Sequence, residues 1–575
     1  MRQGALFVGL DFGTESVRAV VVDREGRDIC SSTSAYEHGQ IVPGSEAATR
    51  LFPDGLPPAF ALQHPGDWIA SAARACTEAI GQGGVDAAAV AGVGVDFTSC
   101  TMLPCFLDGT PLCLADRALE RGEPWHVRTG LGADPHAWPK LWKHHGALSQ
   151  TERINRVARE RNEAWLGRYG GIVGLEWLFP KMFEVIERSV DAAAQAEVWL
   201  EAGDWFVWQC VGSPAMGGTV NASELPRSTC QAGYKGLWSA SDGYPSAEFL
   251  GAVDSALAEA GRSKMPGVMV APGRQAGELC ASMGTQLGLR PGIAVSAAII
   301  DAHAGVPGAG VGEAGTLVMV MGTSGCHMLL GEAERQITGV AGVVQDGILP
   351  GFAGYETGQA AMGDGFDLVR RLTGHVDFEE LDMAAGLVEP GASGLLCLDW
   401  YNGCRTPLMD GSVAGGMIGL TLDHGPEHMY RAALEASAFG LRWIVDTLRD
   451  GGVGIERFVA TGGLPLHNPL FAKIAASVLG EPIAIHAAEH GSALGAAILG
   501  ALAAGSKRGG FDDPGEAVHA MAGRGSVLSA PRVIRPEPAW VTTYDEVYRV
   551  YRRFADEQMQ PGSSTRLLFE LRHEL

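Results

Sequence analysis

The sequence has no CxxC pair, no cluster of Lys and Arg, no signal-like leader, and neither common nucleotide-binding fingerprint in working form. Each absence excludes something. Eleven cysteines, an odd number without paired spacing, read as reduced cytoplasmic thiols rather than a disulfide framework. Cys100, Cys105 and Cys113 sit close in sequence, but their spacing fits no zinc pattern. Lys and Arg number 43 against 66 Asp and Glu, a net charge of −23, so nucleic acid is not the expected partner. The same charge permits an anionic ligand, because backbone N–H groups and a bound metal can hold phosphate. The N-terminal apolar run breaks at Asp11, too early for a signal peptide. Residues 314–331 carry no formal charge and are long enough to cross a bilayer. Gly322, Thr323, Ser324, Gly325 and His327 at the centre of that stretch predict two strands around a turn instead, and no membrane partner. Residues 500–507 resemble a P-loop but have Ser before Lys and lie at a helix end. Gly308, Gly310 and Gly312 bring the third glycine of a dinucleotide fingerprint one residue early, which removes the main support for an NAD enzyme.

What is present is a chain of 575 residues, enough for two or more domains at roughly 100–200 residues each. Hydrophobic residues make up 46% and charged residues 19%, a globular balance. Glycine is abundant, 80 of 575, about twice the usual ~7%, and points to places where backbone comes close to a ligand or another element. Residues 6–23 read as an apolar run, a Gly13-Thr14-Glu15-Ser16 turn and a second β-branched run. Residues 316–330 repeat that form around Gly322-Thr323-Ser324-Gly325, a little over half the chain later. Two related α/β domains explain the repeat; two independent hairpins in a Gly-rich chain remain the alternative. Strands alternate with helices: residues 66–80 as a helix with Asp67 as cap, then strands at 90–97 and 292–301, each with a carboxylate at its end, Asp96 and Asp301. A helix is expected over 426–448, a strand and Gly-rich turn over 458–469, then helices over 470–479 and 492–504 around a strand at 482–486. The polar stretch after Gly505 reads as a surface linker, and residues 544–554 as a tail helix. This order places the chemistry at one edge of an α/β sheet.

Gly13-Thr14 and Gly322-Thr323 are turns whose N–H and hydroxyl groups can meet phosphate oxygens; either alone is equally an ordinary hairpin turn. Asp11 at the first strand's end is a candidate Mg²⁺ ligand beside those phosphates, through water. Arg18, on the returning strand, is placed to meet the transferred group, with a surface arginine as the alternative. Asp301 and Asp96 are carboxylates at strand ends, suited to take a proton from a hydroxyl; Asp301 as a helix cap is the competing reading.

Ordered segments along nearly the whole chain then resemble the FGGY carbohydrate kinases of the actin-like, sugar kinase and Hsp70 ATPase superfamily. They are GLDFGTESVRAVVVD, GVGVDFTSCTMLPCFLDGTPL with DAHAGVPGAGV, VMGTSGCHM, ATGGLPLHNPLF and HGSALGAAILGAL. DPHAWPKLWKHHG, GLEWLFPKMFEV, RSTCQAGYKGLW and GYETGQAAMGDGFD resemble the ribulokinase branch of the L-arabinose type. The resemblance implies an α/β fold of two duplicated RNase H-like, actin-like ATPase domains with nucleotide and sugar in the cleft between them. The domains would run over 1–308 and 309–508, with a linker and tail helix over 509–575. It implies ATP and Mg²⁺ as cofactors and a small sugar as partner; a homodimer stays open. Asp301 would be the general base; Asp96, Thr98, Lys235, Asp301 and Glu356 would bind the ketose. Asp11, Gly13, Thr14, Glu15, Ser16, Arg18, Gly322, Thr323, Gly462, Gly463 and Asn468 would bind ATP, and Asp11 the metal. L-Ribulose is the implied acceptor, with D-ribulose or another pentulose or pentitol as the alternative and a non-enzymatic ATP-switched regulator as the remote one.

Overall fold

The computed structural model describes residues 4–114, 131–375, 377–486, 490–523 and 532–574. Two sheets organise it, and both start from the hairpins anticipated above. In the first, β1 (Leu6–Phe12), β2 (Ser16–Asp23) and β3 (Asp28–Ala35) form an antiparallel meander. β4 (Val90–Phe97) joins β1 in parallel; next come β6 (Ala294–Ser296) and β5 (Gln275–Glu278), with β7 (Ile299–Ile300) pairing the end of β4. In the second sheet, β8 (Thr316–Met321), β9 (Gly325–Gly331) and β11 (Ala353–Gln359) form the meander, with β10 (Gly342–Gln345) beyond β11. On its other side β12 (Arg457–Thr461) and β13 (Ile483–Ile485) are parallel, and β14 (Arg532–Ile534) closes the edge. The first sheet thus runs β3-β2-β1-β4-β6-β5 and the second β10-β11-β9-β8-β12-β13-β14; in each, the first strand of an antiparallel meander is joined on its other side by a parallel strand, the arrangement of two RNase H-like, actin-like domains.

Helices fill the connections. α1 (Pro65–Gly83) precedes β4. α2 (Leu178–Arg188), α3 (Ala202–Val211) and α4 (Thr229–Lys235) lie between β4 and β5, where Trp199, Trp205 and Trp208 are fully buried. α5 (Asp301–Gly308) follows β7, and α6 (Pro426–Asp450), α7 (Pro469–Leu479) and α8 (Gly491–Ala504) serve the second half.

Helix α8 supplies a physical reason for much of the glycine. It lies across β1 and β4 of the first sheet, and a Cβ on Gly9 or Gly94 would land on the carbonyl oxygens of Ala493 or Ala496. A Cβ on Gly495 would likewise strike Ala304 of α5. Backbone-to-backbone packing at this range is open only to residues without a side chain. A helix late in the sequence thus joins the two sheets, with Phe7, Ala304, Val318, Ile498 and Leu499 in one continuous core.

Several expectations need correction. α1 starts at Pro65, and His64 is its cap, accepting from Gly66 N at 3.1 Å; Asp67 instead pairs with His38. The apolar run 292–301 is broken into β6 and β7, because the chain must leave β5's partner and meet β4 again near Asp96. The stretch after Gly505 is no simple surface linker. Phe511 is buried under the Arg24 guanidinium, and the helix Pro514–Ala522 packs on the first sheet's Gly26 turn. The tail helix α9 (Pro538–Met559) is longer than expected and buries Tyr544, Tyr548 and Tyr551 against α6. Among the described residues no helix is long and apolar enough to cross a membrane, and residues 316–331 form the β8–β9 hairpin.

Candidate active site

The first carboxylate edge follows from strand register. Asp11 lies opposite Arg18 on β2 and Asp96 on β4, so three charged side chains share one row across three strands. Arg18 Nη1 meets Asp11 Oδ2 at 3.3 Å. Asp96 is fully buried and neither of its oxygens has a hydrogen-bond partner among the described residues. Burial first, then the neighbouring charges of Asp11 and Asp301, push its carboxyl well above the usual carboxylate range. An orphaned, crowded carboxylate of this kind is relieved by a cation or a donor hydroxyl, so the donor set fits Mg²⁺. Asp96 lies beside Asp11 on the neighbouring strand, with no exposed surface.

Asp301 begins α5 immediately after β7, where its charge gains from the helix N-terminus. Its Oδ1 accepts from Ala302 N at 2.6 Å, and the cap position of α5 is Ile300, so Asp301 is the helix's first residue and not its cap. Burial raises its pKa from 3.8 to about 7; Ala302 N–H opposes this, while Asp11 and Glu356 add to it. That value is matched to proton transfer near neutral pH.

The third group crosses the chain's two halves. Lys235 at the end of α4 and Glu356 on β11 are both buried, with Nζ and Oε1 2.6 Å apart. His303 Nε2, one turn into α5, is 3.3 Å from Glu356 Oε2. Burial pushes Glu356 up, but Lys235 and His303 outweigh it and hold the carboxyl well below its ordinary value. For Lys235, burial lowers and Glu356 raises, with a net rise, so both groups are ionised. The Trp177 ring lies 5.3 Å from Lys235 Nζ and walls the pair. Thr98 is buried just beyond β4, its N–H donating to Phe12 O at 3.0 Å and its hydroxyl sharing a hydrogen bond with Thr101.

The two turns are built alike. Gly13 N donates to Ser16 O, and Gly322 N to Ser324 O, each at 3.0 Å. Thr14 is held by Gln63, which donates to its carbonyl at 2.7 Å, and by Trp142, which donates to its hydroxyl at 3.2 Å. Glu15 is exposed and accepts from Gln40. Thr323 is exposed, its carbonyl receiving Met362 N at 2.8 Å. Gly462 ends β12 with φ +95°, and a Cβ there would collide with Met321 O, so this turn next to β8 needs glycine. Gly463 follows as the first residue of a short helix. Asn468 stands apart from the expectation: its amide caps α7 at Phe471 N and donates to Asp382 and Tyr430. With those bonds made, it shapes the turn's exit and has little left to offer a nucleotide.

Sequence reasoning missed His303, although it lies two residues from Asp301 in AIIDAHAG. It also missed Lys181, a buried ammonium that donates to the carbonyls of Cys100, Lys140 and Leu141 and so fixes the loop after Thr98. Nothing local in an amphipathic helix marks such a lysine.

A two-domain actin-like fold with strand-end carboxylates and paired Gly-Thr turns defines an ATP-dependent phosphotransferase. Residues 317–504 match the FGGY family of carbohydrate kinases, C-terminal domain. The chain is 41% identical over 564 residues to a ribulokinase of Geobacillus thermodenitrificans, covering 96% of this chain and 94% of that protein. It is 38% identical over 569 residues to a ribulokinase of Mycolicibacterium smegmatis, covering 96% and 93%. A xylulose kinase from Rhodospirillum rubrum has the same fold, with TM-score 0.74 and 21% identity over 96% of this chain and 98% of that one. So does a Plasmodium falciparum glycerol kinase solved with ADP, at TM-score 0.73 and 14% identity over 97% and 99%. The chain belongs to the FGGY family of carbohydrate kinases and is an ATP-dependent sugar kinase.

Proposed function

We propose that the protein phosphorylates L-ribulose at its terminal hydroxyl, with Asp301 as general base. The observation that carries this reading is a carboxyl with a pKa of about 7 beside a buried, ionised Lys235–Glu356 pair. Asp301 accepts the proton of the sugar hydroxyl, and the resulting oxygen attacks the γ-phosphorus in line as ADP leaves. Lys235 retains two N–H donors beyond its bond to Glu356, and Glu356 retains acceptor capacity; together with Thr98 they suit the paired hydroxyls of a polyol. The turns at Gly13, Thr14 and Ser16 and at Gly322 and Thr323 offer donors to the phosphates, and Gly462 and Gly463 leave room for the adenosine. Mg²⁺ would neutralise phosphate charge. Asp11 would hold it through water, while Arg18 keeps the Asp11 carboxylate in place; Asp96, on the strand beside it, is the remaining carboxylate proposed for the sugar. The proposed domain bounds are 1–308 and 309–508, the second starting ahead of β8; residues 509–575 follow them and return to both sheets through the helix Pro514–Ala522 and β14. Eleven free thiols support a reducing, cytoplasmic setting.

L-Ribulose is favoured over other acceptors by the 41% identical ribulokinase, which aligns over nearly the whole of both chains. The test is ADP release with L-ribulose, D-ribulose, L-xylulose, ribitol and glycerol. L-Ribulose is expected to give the highest kcat/KM. A different pentulose or pentitol at the top would move the substrate assignment, and no sugar-dependent ADP with any polyol would reject the kinase reading of this site.

A further inference from the structure

Arg405 has a role that neither the strand-end carboxylates nor the Lys235–Glu356 pair accounts for. It lies on a loop whose backbone is tied to β11 in both directions: Thr406 N donates to Gly358 O at 3.1 Å, and Thr406 Oγ1 accepts from Gly358 N at 3.3 Å. Cys404 and Asp410 exchange backbone hydrogen bonds across the loop, and Arg566 of the tail holds Asp410 at 2.7 Å. The guanidinium is therefore carried on a braced segment.

Its location follows from β-sheet register. On β11, Glu356 faces Met328 and Gly358 faces Cys326, so Glu356, Gly358, Met328 and Cys326 present the same face of the second sheet. A Cβ on Gly358 would strike Gly325 O at 2.6 Å, and Arg405 lies against the same bare position, its Nη1 3.4 Å from that Cβ and 4.0 Å from Cys326 Sγ. One strand repeat deeper is Glu356 with Lys235; one residue nearer the sheet edge is Gly325, which closes the Gly322–Gly325 turn. The Cys326 thiol is pushed up by burial; Arg405 and Lys235 oppose that rise, while Glu356 and Asp301 add to it. Arg405 thus stands between the acceptor pocket and the second phosphate turn.

Its charge is the remaining clue. Lys235 is matched by Glu356 and Arg18 by Asp11, whereas among the described residues Arg405 has no carboxylate within ion-pair distance and only the Cys326 sulfur as partner. Glu356 and Glu176 act on it only through space. A mostly buried cation without a counterion is matched by an anion, not by a neutral sugar.

We propose that Arg405 is a further catalytic residue, whose guanidinium holds the phosphoryl group during transfer and then the phosphate ester of the product. The inference rests on the kinase reading of Asp301. No bond to Arg405 forms or breaks: it donates hydrogen bonds to the non-bridging oxygens, while the phosphoryl group passes from ADP's oxygen to the sugar oxygen and the proton goes to Asp301.

The test compares wild type with Arg405→Gln, Arg405→Lys and Arg405→Ala, using L-ribulose and L-ribulose 5-phosphate as probes. Arg405→Gln should lower kcat by about 10²-fold to 10³-fold, the loss typical of one donor aimed at developing charge, with KM for the sugar within about threefold. Arg405→Lys should fall between, because a point charge lacks the planar fork. Guanidinium chloride at tens of millimolar should raise Arg405→Ala turnover at least about tenfold over equal NaCl, a rescue that a purely structural role would not give. Equilibrium binding of the sugar phosphate should weaken at least about tenfold in Arg405→Gln while that of the free sugar holds. A kcat within threefold of wild type, failed rescue, or equal weakening of sugar and sugar phosphate overturns the proposal and leaves the kinase reading standing. No sugar-dependent ADP from wild type rejects the kinase reading and this inference with it.

Discussion

Asp301→Asn separates catalysis from stability in opposite directions. With a pKa of about 7 in the folded protein, only about a tenth of the Asp301 carboxyls are ionised at pH 6. Wild-type kcat/KM for the sugar, read by coupled ADP release at saturating MgATP, should therefore fall about tenfold per pH step below 7 and level off above it. The amide cannot take the proton, so Asp301→Asn should lose about 10²-fold to 10⁴-fold in kcat and the acid limb with it. Stability moves the other way. A carboxyl raised from 3.8 to about 7 binds its proton more tightly when folded; this contribution is fully present below pH 3.8 and is lost as pH rises to 7. At ~1.4 kcal/mol per pH step the loss is at most ~4 kcal/mol, and the partial solvent access of the side chain reduces it to about 1–2 kcal/mol. Asp301→Asn should then be more heat-stable than wild type at pH 8 and no more stable at pH 4, by thermal unfolding. Full activity in the variant, or an unchanged acid limb, would refute Asp301 as base. An equal stability gain at both pH values would refute the account of its pKa.

Three further outcomes follow from the packing and the charges. Lys235→Met and Glu356→Gln each leave one buried group without its partner and should cost about 3–5 kcal/mol and about 1–3 kcal/mol respectively; the double variant should cost less than their sum, measured by denaturant unfolding. Gly94→Ala drives a methyl group onto Ala496 O, where helix α8 meets β4; it should lower stability by about 1–3 kcal/mol, with a fall in Tm of several degrees. Asp11→Asn removes the Arg18-bound carboxylate, so the Mg²⁺ concentration for half-maximal rate should rise at least about tenfold with sugar KM little changed; an unchanged Mg²⁺ response would remove Asp11 from metal binding.

Much of the fold was legible because local pattern and strand register coincide. The hairpins at Gly13 and Gly322 show themselves as apolar run, Gly-Thr turn, apolar run, and Asp11, Asp96 and Asp301 show themselves as carboxylates ending apolar runs. Those are short-range signals, carried by side-chain type and spacing. His64 rather than Asp67 as the cap of α1 was not legible, since it depends on His38 drawing Asp67 away across 29 residues. The long tail helix and Phe511 were misjudged for the same reason: their burial is supplied by distant surfaces.

The sequence by itself determined the duplicated α/β order, the turns available to phosphate and which carboxylates reach the sheet edge. Only the tertiary structure decided what those groups can do. It paired Lys235 with Glu356 from opposite halves of the chain, buried Asp96 beside Asp11, and set Arg405 against Gly358. The physical reason is that charge, burial and counterion are properties of a neighbourhood. A carboxylate's pKa or an arginine's missing partner depends on atoms hundreds of residues away, which no window of sequence contains.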